Sequence, residues 1–577
     1  MARASGNFSA ADYALFGLTL CASAAVGLFF AFRKRKADNP TEVLMGGRTM
    51  PIIPTALSLL TSFVSGITLL GYPSDVYRRG ALVWFYHAAG AVVGVLCSML
   101  TLPLFYAIQP TSIYQYLEMR FSSKLIRLAA GLLYLCFMIT YMGVVLYGPS
   151  IALSGITGVH PTVFFITVGL VCMVYTSIGG LKAVVWSDTL QATFMIAGVM
   201  ALFFKGSVDR GGIVETFNTA ANYGRFNDLT NFDPNPFQYM TMWTAFFGGV
   251  AFWLSLLTFN QISVQRYLSI GNIRDANKVL MINIPGYIIF ATLADLTGIV
   301  IFTYYLGCDP IHSKQIEKSD QLVIFYALDV LGNIPGFPGV FLACIFSGTL
   351  STISSGINSM AAVFCEDFLG HFTKFHAQTG ARQSLIIKIA SACFGVLSIG
   401  VAFAAGPLGG ILKACMSAMG SFGGPLTGLF IFGMLFPVAE FWGALVGVCL
   451  SIFLTLWLAL GNTITKPYAK YELPLFINQC SAQPWNLTGS FNVTEPVSQY
   501  APGTGLTYLY GFSVVMYPFI GMMFVLIIGL PISFLVSKLR KTDTKSSYDL
   551  TLYAHLPWKQ SRVSPKEQQI KMSNMGV

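Results

Sequence analysis

Residues 58–75 read Ser58-Leu-Leu-Thr-Ser-Phe-Val-Ser-Gly-Ile-Thr-Leu-Leu-Gly-Tyr-Pro-Ser-Asp75, an apolar run interrupted by hydroxyls, Gly66, Gly71 and Pro73. Inside a bilayer the backbone must satisfy its own hydrogen bonds. Irregular backbone survives at that depth only where it lines a cavity or binds something. The stretch therefore reads as a broken membrane helix. Five apolar runs later, Phe246-Phe-Gly-Gly-Val-Ala-Phe-Trp253 is again interrupted by paired glycines, Gly248 and Gly249, and is followed by Asn260-Gln261. Two broken helices at this interval mark an inverted-repeat transporter with its site at mid-bilayer. An ordinary glycine kink leaves the same trace, and the pattern alone does not separate the two.

Composition agrees with a membrane setting. Of 577 residues, 55% are hydrophobic and only 10% charged, with mean hydropathy +0.66. A soluble domain carries about 25% charged residues, so a cytosolic enzyme, a disordered chain and a secreted disulfide scaffold are excluded. A bilayer core of about 30 Å takes about 20 apolar residues per helix. Thirteen such runs are read, near 12–32, 51–72, 81–107, 125–153, 161–180, 184–204, 239–260, 279–306, 336–364, 385–404, 411–436, 438–460 and 512–537. With the N-terminus outside and the C-terminus inside, 23 of the 34 Lys and Arg fall on the cytoplasmic side, and reversal inverts that ratio. The net charge of +10 is spread between the apolar runs, which argues against nucleic acid as a partner. The sequons at Asn7, Asn486 and Asn492 all fall outside, as glycosylation requires.

The ninth run carries the chemistry. Ser347-Gly-Thr-Leu-Ser351-Thr352-Ile-Ser354-Ser355-Gly-Ile-Asn358-Ser359 packs seven hydroxyls and an amide into thirteen residues. Ser347, Ser351, Ser354, Ser355 and Asn358 share one helix face. Such a stripe can bond back to its own helix or glue helices together. Facing an unwound partner, it suits a small hard cation. Neutral oxygens suffice for sodium, whereas calcium or magnesium sites usually recruit carboxylates.

These residues resemble the sodium:solute symporter family. So do Gly179-Gly-Leu-Lys-Ala-Val-Val-Trp-Ser-Asp188, Asn260-Gln-x-x-Val-Gln-Arg-Tyr267, Pro335-Gly-Phe-Pro-Gly339 and Gly423-Gly-Pro-Leu-Thr-Gly-Leu-Phe430. Within it, Tyr72-Pro-Ser-Asp-Val-Tyr77 and the thirteen runs look like the branch of monocarboxylate, iodide and multivitamin transporters. The resemblance implies an all-α polytopic protein of about thirteen transmembrane helices in a leucine-transporter-like 5+5 inverted repeat. The expected organisation is an extracellular N-terminus (1–11), a transmembrane domain (12–537) with core repeats at about 51–204 and 239–436, an extracellular glycosylatable loop (461–511) and a cytoplasmic tail (538–577).

The function it implies is a sodium-coupled plasma-membrane symporter importing a small organic anion, foremost a monocarboxylate such as lactate, pyruvate or a short-chain fatty acid. Biotin, pantothenate and iodide are the alternatives within the class, and a ligand-gated sensor or channel of the same fold is the alternative outside it. No enzyme is expected, since no acid/base pair or metal cluster is assembled inside the runs. No cofactor is expected beyond sodium as coupling ion, and the partners are the anion, sodium and the lipid bilayer.

The resemblance carries a sodium site to Thr61, Val64, Gly348, Ser351 and Thr352, and the hydroxyl stripe supports the last two physically. A second sodium is expected near Ser62, Ser65, Tyr141, Asp188, Gln191 and Gln261, although Asp188 also reads as a partner for Lys182. The substrate is expected between the breaks, near Ser65, Thr68, Tyr72, Tyr86, Tyr141 and Trp253, where a half-helix starting after Gly66 aims its N-terminus at a carboxylate. Lys413, one turn from Ser417, reads either as a vestibule cation that gathers anions or as a lysine at the membrane interface. Cys308 and Cys480 alone among eleven cysteines lie in outer loops, which predicts a disulfide. Asp295 is an acid inside the eighth run, to which the resemblance gives no role. It reads either as a structural group or as a source of proton sensitivity.

Overall fold

The computed structural model describes residues 9–33, 40–404, 411–465, 473–477, 480 and 505–540. The helices that position the site are numbered here in chain order. They are α1 (Ala10–Arg33), α2 (Ile52–Phe63), α3 (Gly66–Arg79), α4 (Trp84–Leu96) and α5 (Lys124–Thr157), then α6 (Pro161–Val208) and α7 (Met242–Trp253). After them come α8 (Gln261–Leu268), α9 (Ile273–Tyr304) and α10 (Phe337–Val363). Four further crossings follow, with helices at Gly380–Ala404, Gly424–Leu435, Phe441–Thr465 and Tyr517–Arg540.

Ten stretches among the described residues are long and apolar enough to cross a bilayer. One of them, α6, is two helices joined across a kink at Gly180, and the pairs α2/α3 and α7/α8 are helices interrupted by non-helical residues. Gly180 has φ 62° and ψ −163°, a backbone region open essentially to glycine alone. Its missing side chain also lets Val43 approach, since a Cβ there would lie 2.8 Å from the Val43 carbonyl oxygen.

The second break does not fall at the paired glycines. α7 runs straight through Gly248 and Gly249. A Cβ on Gly249 would lie 2.6 Å from the Tyr86 carbonyl oxygen, so this glycine brings α7 onto α4. The chain instead passes through a π-helical turn at Leu254–Thr258 and breaks at Phe259-Asn260, where the axis bends by 47°. Asn260 caps the new half-helix by accepting the Ile262 N–H at 2.9 Å, a function its short amide suits well.

α10 is the axle of the molecule. Its residues are almost all buried, which is why its polar stripe has protein partners instead of lipid. Asp12 of α1 accepts the Gly339 N–H at its N-terminus at 2.9 Å. At the end expected to face outward, Cys308 and Cys480 are joined by a disulfide. Residues 473–477 lie across the C-terminal end of α3: the Leu473 N–H donates to Arg78 at 2.8 Å and the Asp309 N–H to Phe476 at 2.8 Å. Asn7, Asn486 and Asn492 lie outside the described residues, as does the side chain of Lys413.

Candidate functional site

α2 ends at Phe63, and Val64 (ψ 90°) and Ser65 (ψ 179°) are extended before α3 begins at Gly66. The Ser65 hydroxyl restores the helix by accepting the Ile67 N–H at 3.2 Å. Extended residues release the carbonyls that an unbroken helix would use, and α10 crosses this gap. The Ser351 hydroxyl lies 2.8 Å from the Thr61 carbonyl oxygen and 3.1 Å from that of Gly348. The Thr352 hydroxyl lies 3.2 Å from the Ser62 carbonyl oxygen and 3.0 Å from Gly348. The Val64 carbonyl oxygen sits 3.1 Å from the point where a Cβ on Gly348 would stand. The five residues expected to hold sodium thus converge, and the Ser62 carbonyl joins them. The oxygens are neutral, numerous and buried, the donor set of a monovalent hard cation.

Below the break lies a polar network that sequence reasoning only partly found. The Arg266 guanidinium donates to Asp188 at 3.2 Å, to Ser58 at 2.9 Å and to Ser355 at 2.5 Å. Ser58 donates to Asp188 at 2.5 Å, and the Ser62 and Ser355 hydroxyls meet at 2.9 Å. Arg266 and Asp188 are both wholly buried, so each charge depends on the other. Asp188 is therefore not the partner of Lys182, which pairs with Glu42 at 2.5 Å. Nor do all six residues expected around a second sodium gather. Gln261 turns away to bridge the Thr111 carbonyl and the Ile113 N–H, at 2.7 and 3.0 Å. Gln191 donates to Ser23 of α1 at 3.1 Å. Tyr141 adjoins Ser65. A guanidinium within an apolar segment was the available signal for Arg266, since it demands a carboxylate.

Above the break, α3, α4, α7 and α9 bring the expected aromatic residues together. The Trp253 indole N–H donates to the Tyr86 carbonyl at 3.0 Å, and its ring meets Tyr287 at 4.4 Å. The Phe63 ring stands edge-on to Trp253 at 6.4 Å. The Tyr86 hydroxyl lies 3.2 Å from the Met416 sulfur, and the Thr68 hydroxyl reaches back to the Phe63 carbonyl at 3.4 Å. His87 and Tyr287 complete this wall, and sequence reading missed both, because single aromatics in apolar helices carry no periodic signal. Farther out, the Tyr239 hydroxyl donates to Asp75 at 3.2 Å. Burial holds the Tyr239 phenol above its ordinary value, so it stays protonated and able to donate.

The family model described as the sodium:solute symporter family matches residues 44–451. Sodium-coupled monocarboxylate transporter 1 of Homo sapiens is 39% identical over 494 residues, 85% of this chain and 80% of that protein. The sodium-dependent multivitamin transporter of Oryctolagus cuniculus is 36% identical, over 96% of this chain and 86% of its own length. The solved substrate-bound, outward-open state of a Na+-coupled sialic acid symporter superposes with a TM-score of 0.74 at 23% identity, covering 92% of this chain and 98% of that one. This last likeness concerns the fold, which is leucine-transporter-like.

Proposed function

Because the chain belongs to the sodium:solute symporter family, we propose that it couples the sodium gradient across the plasma membrane to import of a small monocarboxylate. Sodium is the coupling ion. Monocarboxylate is preferred because the relatives at 37–40% identity include sodium-coupled monocarboxylate transporters 1 and 2 from several animals. Sodium is held by the carbonyls of Thr61 and Val64 and by Gly348, Ser351 and Thr352. The anion sits just above, where the N-terminus of α3 presents first-turn N–H groups and the positive end of its dipole. Tyr72, Tyr86 and Trp253 give the anion apolar walls.

Ion and anion then share one structural element. Sodium draws the carbonyls at the end of α2 toward α10, and this fixes where α3 starts and where its N–H groups point. An anion that binds better to the fixed arrangement is bound better with sodium, and the coupling is reciprocal. The Asp188–Arg266–Ser355 network seals the opposite end of the path, so access from that side requires breaking it.

The observation that carries this reading is the convergence of the Ser351 and Thr352 hydroxyls on the carbonyls freed by the break. Uptake of labelled lactate into cells at graded sodium tests it. Ser351→Ala and Thr352→Ala should each raise the half-activating sodium concentration about tenfold, the loss of roughly 1–1.5 kcal/mol expected for one ligand oxygen. Unchanged sodium activation in both variants contradicts the assignment.

A further inference from the structure

One buried ionisable pair plays no part in sodium binding. His87 of α4 and Asp295 of α9 face each other in the outer half of the protein, at 0% and 3% exposure. The His87 Nε2 lies 3.5 Å from Asp295 Oδ2, and the His87 Nδ1 lies 3.1 Å from the Tyr287 hydroxyl. Neither carboxylate oxygen of Asp295, nor His87 Nε2, has a hydrogen-bond partner among the described residues. The Tyr72 ring of α3 stands edge-on to the imidazole at 4.5 Å.

The other ionisable groups facing the pair are Tyr72 and Asp75 of α3, Tyr86 of α4, Tyr287 of α9 and Cys415 of the helix Ile411–Ala418. Phenols and a thiol are neutral in such surroundings, and Asp75 is already paired with Arg79. His87 is thus the group placed to neutralise Asp295. An uncompensated buried ion costs several kcal/mol. A carboxyl enclosed in this way, with an imidazole nitrogen 3.5 Å away and neither oxygen holding a hydrogen-bond partner among the described residues, is a place where a proton can be bound.

We infer that His87 and Asp295 form a proton-binding site, distinct from the sodium site, whose occupancy is a further input to the transport cycle. The inference rests on the symport reading above. Its link to transport is α3, the outer half of the broken helix. The ring of His87 touches Tyr72 of α3. One turn past Asp295, a Cβ on Gly298 would lie 2.5 Å from the Pro73 carbonyl oxygen, so α9 sits directly on α3. Adding a proton changes the net charge where α3 meets α4 and α9, and so changes the relative stability of arrangements in which α3 tilts.

The experiment is sodium-dependent uptake of labelled lactate between pH 6 and 8.5, normalised to surface abundance. Lactate stays ionised throughout, its carboxyl titrating at roughly 4. Wild type should change rate at least threefold across the range, about one midpoint. Asp295→Asn, which fixes a neutral group, should flatten the profile. His87→Gln, which removes the facing imidazole, should move the midpoint by roughly one to three pH units. Should Asp295→Asn fail to reach the membrane, Asp295→Glu keeps the acid and should shift the midpoint instead. Superimposed profiles for wild type and the variants, with sodium dependence intact, overturn the proton site alone. Wild-type uptake that ignores sodium at every pH overturns the symport reading beneath it.

Discussion

Arg266 and Asp188 lie 78 positions apart in sequence and 3.2 Å apart in space, both wholly buried. Removing one member of such a pair strands the other charge, at about 3–5 kcal/mol. Arg266→Gln and Asp188→Asn should therefore each lower the melting temperature in detergent sharply. The double variant should lose less than the sum of the two singles, and strict additivity would deny the pairing. At this scale the sequence was unevenly legible. The Ser351 and Thr352 hydroxyls could be read because neighbours on one helix obey a fixed period. Arg266 could be seen but not paired, because contact between distant segments leaves no periodic mark. The same gap led Asp188 to be read toward Lys182, six residues away, when Lys182 in fact meets Glu42.

Among the helices, two features decide where the site lies: the gap between α2 and α3, and the fold at Gly180 within α6. The first was legible because hydroxyls and Gly66 sit where an apolar helix should continue. The break between α7 and α8 was read about ten residues early. Paired glycines signal close packing as well as unwinding, and here α7 uses them to approach α4. The true signal was Asn260, a helix-capping residue within an apolar run. Gly180→Ala tests the fold of α6. Its backbone region costs a non-glycine residue about 1–3 kcal/mol, before counting the 2.8 Å approach to the Val43 carbonyl. Surface abundance of this variant should fall several-fold, while Gly158→Ala, at a helix end with open space around it, should be much milder. Equal effects would remove the special role of Gly180.

Taken whole, the molecule is a bundle around α10, tied together below the break by the Asp188–Arg266 network and strapped at the other end by residues 473–477 and the Cys308–Cys480 disulfide. That bridge closes a loop spanning 172 positions. Cys308→Ser with Cys480→Ser should cost about 2–5 kcal/mol and lower the melting temperature of the purified protein. A melting temperature that is the same with and without reductant would show that the strap does not depend on it. The broad architecture was legible from hydropathy and from the charge asymmetry of the loops, both of which the bilayer imposes directly. The enclosure of the aromatic wall by His87 and Tyr287 was not, because it depends on how four helices are turned toward one another.

The central claim is that this bundle concentrates an anion at the expense of a sodium gradient. It is tested most directly by reconstituting the purified protein in vesicles with equal labelled lactate on both sides and imposing an inward sodium gradient. The account predicts lactate accumulation inside above the outside level, collapsing when choline replaces sodium. Lactate that stays level across the membrane under the gradient, or accumulates equally in choline, would contradict it.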